Sequence, residues 1–188
     1  MKCFSIVYQH DSMLCGVACL KMICKYFGRE YSSDSLSKLC FATTEGVSML
    51  GINETAKTLG IETVCAKATP KELCETPLPC ILHWNQNHFV VLYKVKKGKK
   101  FYVADPGKGK TTYNLEDFKQ HWISTRANGE DKGIAMFFET TPAFFTYQME
   151  GEENKKEQRS FKFLLGYFKK YRKAFSWIVL GLLMGSML

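Results

Sequence analysis

Cys15 stands in Gln9-His10-Asp11-Ser12-Met13-Leu14-Cys15-Gly16-Val17-Ala18-Cys19-Leu20, where a helical pattern begins, six residues after a glutamine. Far downstream come His88-Phe89-Val90-Val91-Leu92 and then Ala104-Asp105-Pro106. A thiolate is a nucleophile, and a helix N-terminus favours it, because unpaired N–H groups and the macrodipole stabilise negative charge. An imidazole moves the proton, and a carboxylate fixes the ring and stabilises the imidazolium. Gln9 offers an amide donor for a developing oxyanion beside the Cys15 backbone N–H, a contact whose loss costs about 100- to 1000-fold in rate. Together these residues suit a cysteine peptidase. Taken singly, each has a plainer reading: a buried thiol, a strand-end histidine, a turn aspartate, a surface glutamine.

The elements that must bring them together can be read from periodicity and turn signals. Residues 15–27 read as a helix stopped by Gly28, 33–41 as a second after Ser32-Ser33-Asp34, and 47–59 as a third closed by Gly60. Strands follow at 61–68, 79–84, 88–95, 100–105 and 134–139, with a short helix after Pro70 and another from Asn114 to 122. Helices first and a mainly antiparallel sheet after them make an α+β fold. A two-residue turn at 97–98 pairs 88 with 107 and 90 with 105. His88 and Asp105 are then diagonal neighbours on one face, about 7–8 Å apart, and a register shift of two residues puts them opposite at about 5 Å.

Gly16 reads as space for a substrate backbone. His83 and Trp84, next to one another before the His88 strand, are further candidates for lining the cleft, with a packed strand position as the alternative for His83. His10 and His121 read as surface residues. The eight cysteines show no Cys-x-x-Cys and no finger or ribbon spacing. No carboxylate–histidine cluster has ligand spacing either, so no metal is expected. Every cysteine but Cys15 reads as a small buried hydrophobe, Cys3, Cys40 and Cys74 included, with Cys19, Cys24, Cys65 and Cys80 on apolar patterns.

The 188 residues carry a formal net charge of +8. Residues 155–173 hold eight Lys or Arg against Glu157 alone, a net of +7, so everything before them carries +1. That distribution argues against nucleic acid as partner. Residues 174–188 carry no charge. This 15-residue apolar run is shorter than the roughly 20 residues a membrane span needs. With its basic flank it reads as the cytoplasmic approach to a first transmembrane helix that the chain leaves unfinished. The polar N-terminus offers no secretory signal. The organisation expected is therefore a domain at 1–147, a charged linker at 148–160, and a basic amphipathic helix running into a truncated membrane helix at 161–188.

Gln9 with Cys15-Gly16, the run Ala18-Cys19-Leu20-Lys21-Met22-Ile23, Ile81-Leu82-His83-Trp84 leading to Asn87-His88-Phe89-Val90-Val91-Leu92, and Val103-Ala104-Asp105-Pro106 resemble the C39 family of papain-like cysteine peptidases. These are the N-terminal domains of bacteriocin- and peptide-exporting ABC transporters, and the likeness covers about residues 7–140. It implies Cys15 as nucleophile, His88 as base, Asp105 as its orienter and Gln9 as oxyanion donor. It also implies cleavage after a Gly-Gly type leader on the cytoplasmic side of the bacterial inner membrane, coupled to export. The implied partners are the leader peptide, the membrane and the remaining transporter domains as a homodimer. No phosphate loop occurs here, so no cofactor is expected in this segment and ATP belongs to a nucleotide-binding domain outside it. Leu14 departs from the acidic residue usual before the cysteine. Two other readings stand beside this one: a docking domain that holds leader peptides without cutting, and a papain-type hydrolase or transferase acting on another acyl substrate.

Overall fold

Helices begin in this chain where a short polar side chain meets an otherwise orphaned amide. The computed structural model describes residues 4–44, 46–127 and 129–147. Asp11 accepts from Met13 N at 3.0 Å and starts a 3-10 turn, Ser12–Leu14, which runs directly into helix α1, Cys15–Tyr26. Leu14 is the N-cap of α1 and supplies no side-chain hydrogen bond; the 3-10 turn leads directly into the helix. Ser32 caps α2, Ser33–Leu39, through Ser35 N, and Ser48 caps α3, Met49–Thr58, through Gly51 N. Gly28 and Gly60, with φ of 101° and 81°, take the left-handed conformation that ends α1 and α3.

The strands are β1, Ile61–Ala68; β2, Cys80–Trp84; β3, His88–Lys96; β4, Lys100–Asp105; β5, Gly109–Asn114; β6, Ile123–Ala127; and β7, Glu130–Thr140. They form one antiparallel sheet in the order β1-β7-β2-β3-β4-β5, with β6 paired to β7. Three short helices complete the domain: α4, Pro70–Glu75, α5, Leu115–Trp122, and α6, Pro142–Thr146. Side chains alternate across a strand. Leu82, Trp84, Val90, Leu92, Phe101 and Val103 therefore turn to one face, where they bury Phe118 and Trp122 of α5. His83 and Ile81 of β2 and, before the bulge in β3, Phe89 and Val91 turn to the other face, on which α1 packs. The sheet thus lies between helices on both sides.

The β3–β4 turn differs from the one expected. It holds three residues, Lys97 to Lys99, and a bulge between Leu92 and Lys94 absorbs the extra one. Val91 consequently still faces Ala104 and Leu92 faces Val103, the register the shorter turn would have given at the site. Three elements were not anticipated. β5 is a polar edge strand, β6 is short and half-exposed, and α6 has five residues. β7 also starts earlier than its apolar run, because residues 130–133 pair with β6. Cys65 and Cys74 are corrections: they lie exposed, Cys65 on the edge strand β1 and Cys74 on α4. No helix among the described residues is long and apolar enough to cross a membrane. The expected linker and membrane approach, 148–188, lie outside the described residues.

Candidate active site

Cys15 is the first residue of α1 and is buried, 7% exposed. Burial pushes its thiol up. Hydrogen bonds from His88 and the Phe89 backbone N–H, the His88 charge and the Gly16 N–H more than offset that, and the thiol lies below its ordinary 9.0. The Phe89 and Gly16 amides have no residue-type signature, which is why the sequence did not reveal them. Phe89 follows from strand geometry once His88 is placed.

His88 opens β3 and Asp105 closes β4. His88 Nε2 lies 2.8 Å from Asp105 Oδ1, and the Gly107 N–H donates to the same oxygen at 2.8 Å. With Nε2 committed to Asp105, Nδ1 is the ring nitrogen left for Cys15. Burial pushes His88 down, yet the Asp105 and Cys15 hydrogen bonds and charges outweigh it and raise the imidazole to about 9. Asp105 is 3% exposed, and burial pushes its carboxyl up. His88, the Gly107 N–H and the Lys108 charge prevail, so it stays below 3.8. These directions all favour the charged forms: thiolate for Cys15, imidazolium for His88 and carboxylate for Asp105.

Gln9 reaches the same corner by a backbone bond, its N–H donating to Pro106 O at 3.1 Å. Its side-chain amide lies against Gly107, and its Oε1 is buried without a hydrogen-bond partner among the described residues. A group six residues upstream of Cys15 is thus tied to the loop that follows Asp105.

The profile of the Peptidase C39 family matches residues 3–127. The chain belongs to that family. It is 38% identical over 123 residues to the lactococcin-G-processing and transport ATP-binding protein LagD of Lactococcus lactis, a match covering 62% of this chain and 17% of that protein. Against the probable microcin-H47 secretion/processing ATP-binding protein MchF of Escherichia coli it is 34% identical over 117 residues, 62% of this chain and 17% of the other. The chain thus spans about a sixth of the length of these curated relatives. A double-glycine motif protease from an AMS/PCAT transporter, solved with its leader peptide, superposes with a TM-score of 0.65 at 30% identity, covering 73% of this chain and 91% of that one. The peptidase domain of Streptococcus ComA gives 0.62 at 27%, covering 73% and 99%. The domain is therefore a papain-like cysteine peptidase.

Three expected lining residues of this C39 domain are placed differently from one another. Gly16 is buried: a methyl there would lie 2.9 Å from Ile52 Cδ1, 3.3 Å from Phe89 Cδ2 and 3.4 Å from Val47 Cβ. Its smallness therefore serves the approach of α1 to α3 and β3 rather than a substrate backbone. Trp84 is also a correction. It is 2% exposed and turns to the α5 face, its ring against Tyr113, Phe118 and His121. His83 is on the opposite face and half-buried, its ring 5.5 Å from that of Phe89. Of the two strand residues, it is the one on the Cys15 side of the sheet. His121 is not a plain surface residue, since its Nδ1 meets Asn85 Oδ1 at 2.8 Å and its ring stacks on Trp84 at 5.1 Å.

Proposed function

We propose that this domain removes Gly-Gly type leader peptides from exported peptides such as bacteriocins. Cys15 acts as nucleophile, His88 as proton carrier, Asp105 as its orienter and Gln9 as oxyanion donor. The observation that carries the assignment is the hydrogen-bonded row Cys15–His88–Asp105 at the mouth of α1. The substrate class is supported by the relatives, which process and transport lactococcin G or secrete and process microcin H47, and by the neighbour solved with a leader peptide.

The reaction then runs as follows. The Cys15 thiolate attacks the carbonyl carbon of the second glycine. Negative charge gathers on its oxygen, toward the Gln9 amide and the Cys15 N–H. His88, already an imidazolium, gives its proton to the departing amine, the C–N bond breaks, and a thioester remains. Water adds to the thioester as His88 takes one of its protons, and the leader leaves as a carboxylic acid with the thiolate restored. His88 therefore enters as an acid and serves as base only in the second half, a refinement of the base role inferred from sequence.

The same reading puts the domain on the cytoplasmic side of a bacterial inner membrane. The 148–160 segment serves as linker and 161–188 as the approach to a first membrane helix. The remaining transporter domains, paired as a homodimer, supply ATP hydrolysis. Incubating the chain and its Cys15→Ala variant with a synthetic leader peptide containing Gly-Gly tests the core of the proposal. Cleavage after the second glycine by the parent alone is the expected result. Binding without cleavage by both would turn the domain into a docking module.

A further inference from the structure

Charge is segregated within the domain. Seven lysines stand between residues 94 and 110 against one acid, Asp105, which is buried in the site. That stretch carries +6, while the domain of residues 1–147 carries +4 in all, so the rest of the domain carries −2. The β3–β4 hairpin concentrates the excess, with Lys94, Lys96, Lys97, Lys99 and Lys100 inside seven residues. None of these five joins an ion pair among the described residues.

The register makes the concentration unfavourable for the isolated sheet. Lys96 and Lys100 are direct cross-strand partners, and like charges facing each other destabilise a strand pair. By alternation Lys94, Lys96 and Lys100 share one face with Tyr102, while Val95 and Phe101 turn to the core. Lys94 Nζ lies 5.3 Å from the centre of the Tyr102 ring, and Lys110 Nζ 5.7 Å from that of Tyr93. The lysines contribute nothing to the core, and no ion pair among the described residues offsets their repulsion. An external anionic surface supplies one. The tip is also remote from the chemistry: Lys97 is nine residues beyond His88 along β3, about 30 Å at ~3.3 Å per residue. An engaged tip leaves the cleft open.

We infer that the β3–β4 hairpin docks on the anionic phospholipid headgroups of the membrane surface. The choice of lipid rests on the reading of 155–188 as a basic approach to a membrane, which holds the domain near that surface. The rest of the domain, at −2, offers that surface no attraction, so the hairpin is the part that turns toward it. Each lysine brought to such a surface strengthens binding about fivefold, and salt weakens the effect.

Amine acylation of the full chain, read lysine by lysine by mass spectrometry, tests this. The chain is mixed with vesicles of neutral phosphatidylcholine, or of the same lipid with phosphatidylglycerol, at low and high salt. On anionic vesicles the rates at Lys96, Lys97, Lys99 and Lys100 should fall at least threefold relative to neutral vesicles. High salt should restore them, and the exposed Lys38, Lys57 and Lys71 should be unchanged. Equal rates on both lipids, or a uniform fall at all lysines, would overturn the proposal. So would protection by an RNA homopolymer without vesicles and none by vesicles. Retention of the chain on neutral vesicles reads the C-terminal segment separately, so its failure to bind there would sink the membrane reading while the anionic arm still reads the hairpin.

Discussion

The row Cys15–His88–Asp105 makes its own pH dependence. On the proposed mechanism, activity needs the thiolate and the imidazolium together. It is lost on the acid side as Cys15 takes up a proton at its lowered pKa, and on the alkaline side as His88 gives one up at about 9. Asp105→Asn keeps an oxygen for Nε2 but removes the charge that raises His88. The alkaline limb of kcat/KM should therefore fall from about 9 toward the ordinary 6.5. A less basic His88 also supports the thiolate less, so the acid limb should rise and the window narrow from both sides. A profile with both limbs unmoved would separate Asp105 from the titration of His88. Trp84 makes a second test at this scale. As a core residue, Trp84→Ala should cost about 3–5 kcal/mol of stability, seen as a fall in Tm, while Trp84→Phe should leave KM for the peptide near that of the parent. A large rise in KM in the phenylalanine variant would return Trp84 to the cleft. The residues that the structure brings together in this row were legible because their chemistry is carried by side chains. The Phe89 and Gly107 amides were not, because a backbone N–H has no letter. Gly16 and Trp84 were misread for the same reason: in a sequence, a small or large residue beside a site does not say which face it turns to.

At the scale of elements, the helices were legible from their caps and the buried strands from apolar runs. Gly60 shows how tightly these elements are joined. Its φ is 81°, and a methyl there would collide with the Phe144 backbone N, with Thr141 N and its hydroxyl both bonding Gly60 O. Gly60→Ala meets backbone rather than a yielding side chain, and adds a left-handed alanine at about 1–2 kcal/mol. The total loss should exceed 2 kcal/mol, measured by urea unfolding. A loss under 1 kcal/mol would mean that the β1–α6 corner yields. Gly16→Val should cost about 1–3 kcal/mol by overpacking against Ile52, Phe89 and Val47. β5, β6 and α6 escaped the sequence because nothing in them is apolar by period. β5 owes its place to the neighbouring β4, whose edge it covers from Lys100 to Asp105. The β3–β4 register is the instructive case. The turn length was misjudged by one residue, yet the bulge at Leu92/Lys94 restored the pairing at the site. What fixed that register was the need to keep Val90 and Leu92 on the buried face.

For the whole molecule the question is which residues belong to the peptidase and which to the membrane. Residues 4–147 make their own core on both faces of the sheet. The family match ends at residue 127, and the charge of +7 sits in 155–173 beyond it. Removing 155–188 takes away that charge and the uncharged run 174–188, and leaves a chain of net +1. If 174–188 is built for hydrocarbon, its loss takes nothing from the folded core. The shortened chain should remain soluble without detergent, keep the Tm of the parent within a few degrees, and cut the leader peptide at the parent's kcat. The parent should partition into neutral vesicles through an apolar segment that salt does not screen, and the shortened chain should not. The opposite pattern has a physical meaning too. A shortened chain that aggregates, beside a full chain that is soluble without detergent, would show that residues 155–188 cover an apolar face of the domain. The basic segment would then be the solvated side of a packed helix rather than the flank of a membrane span.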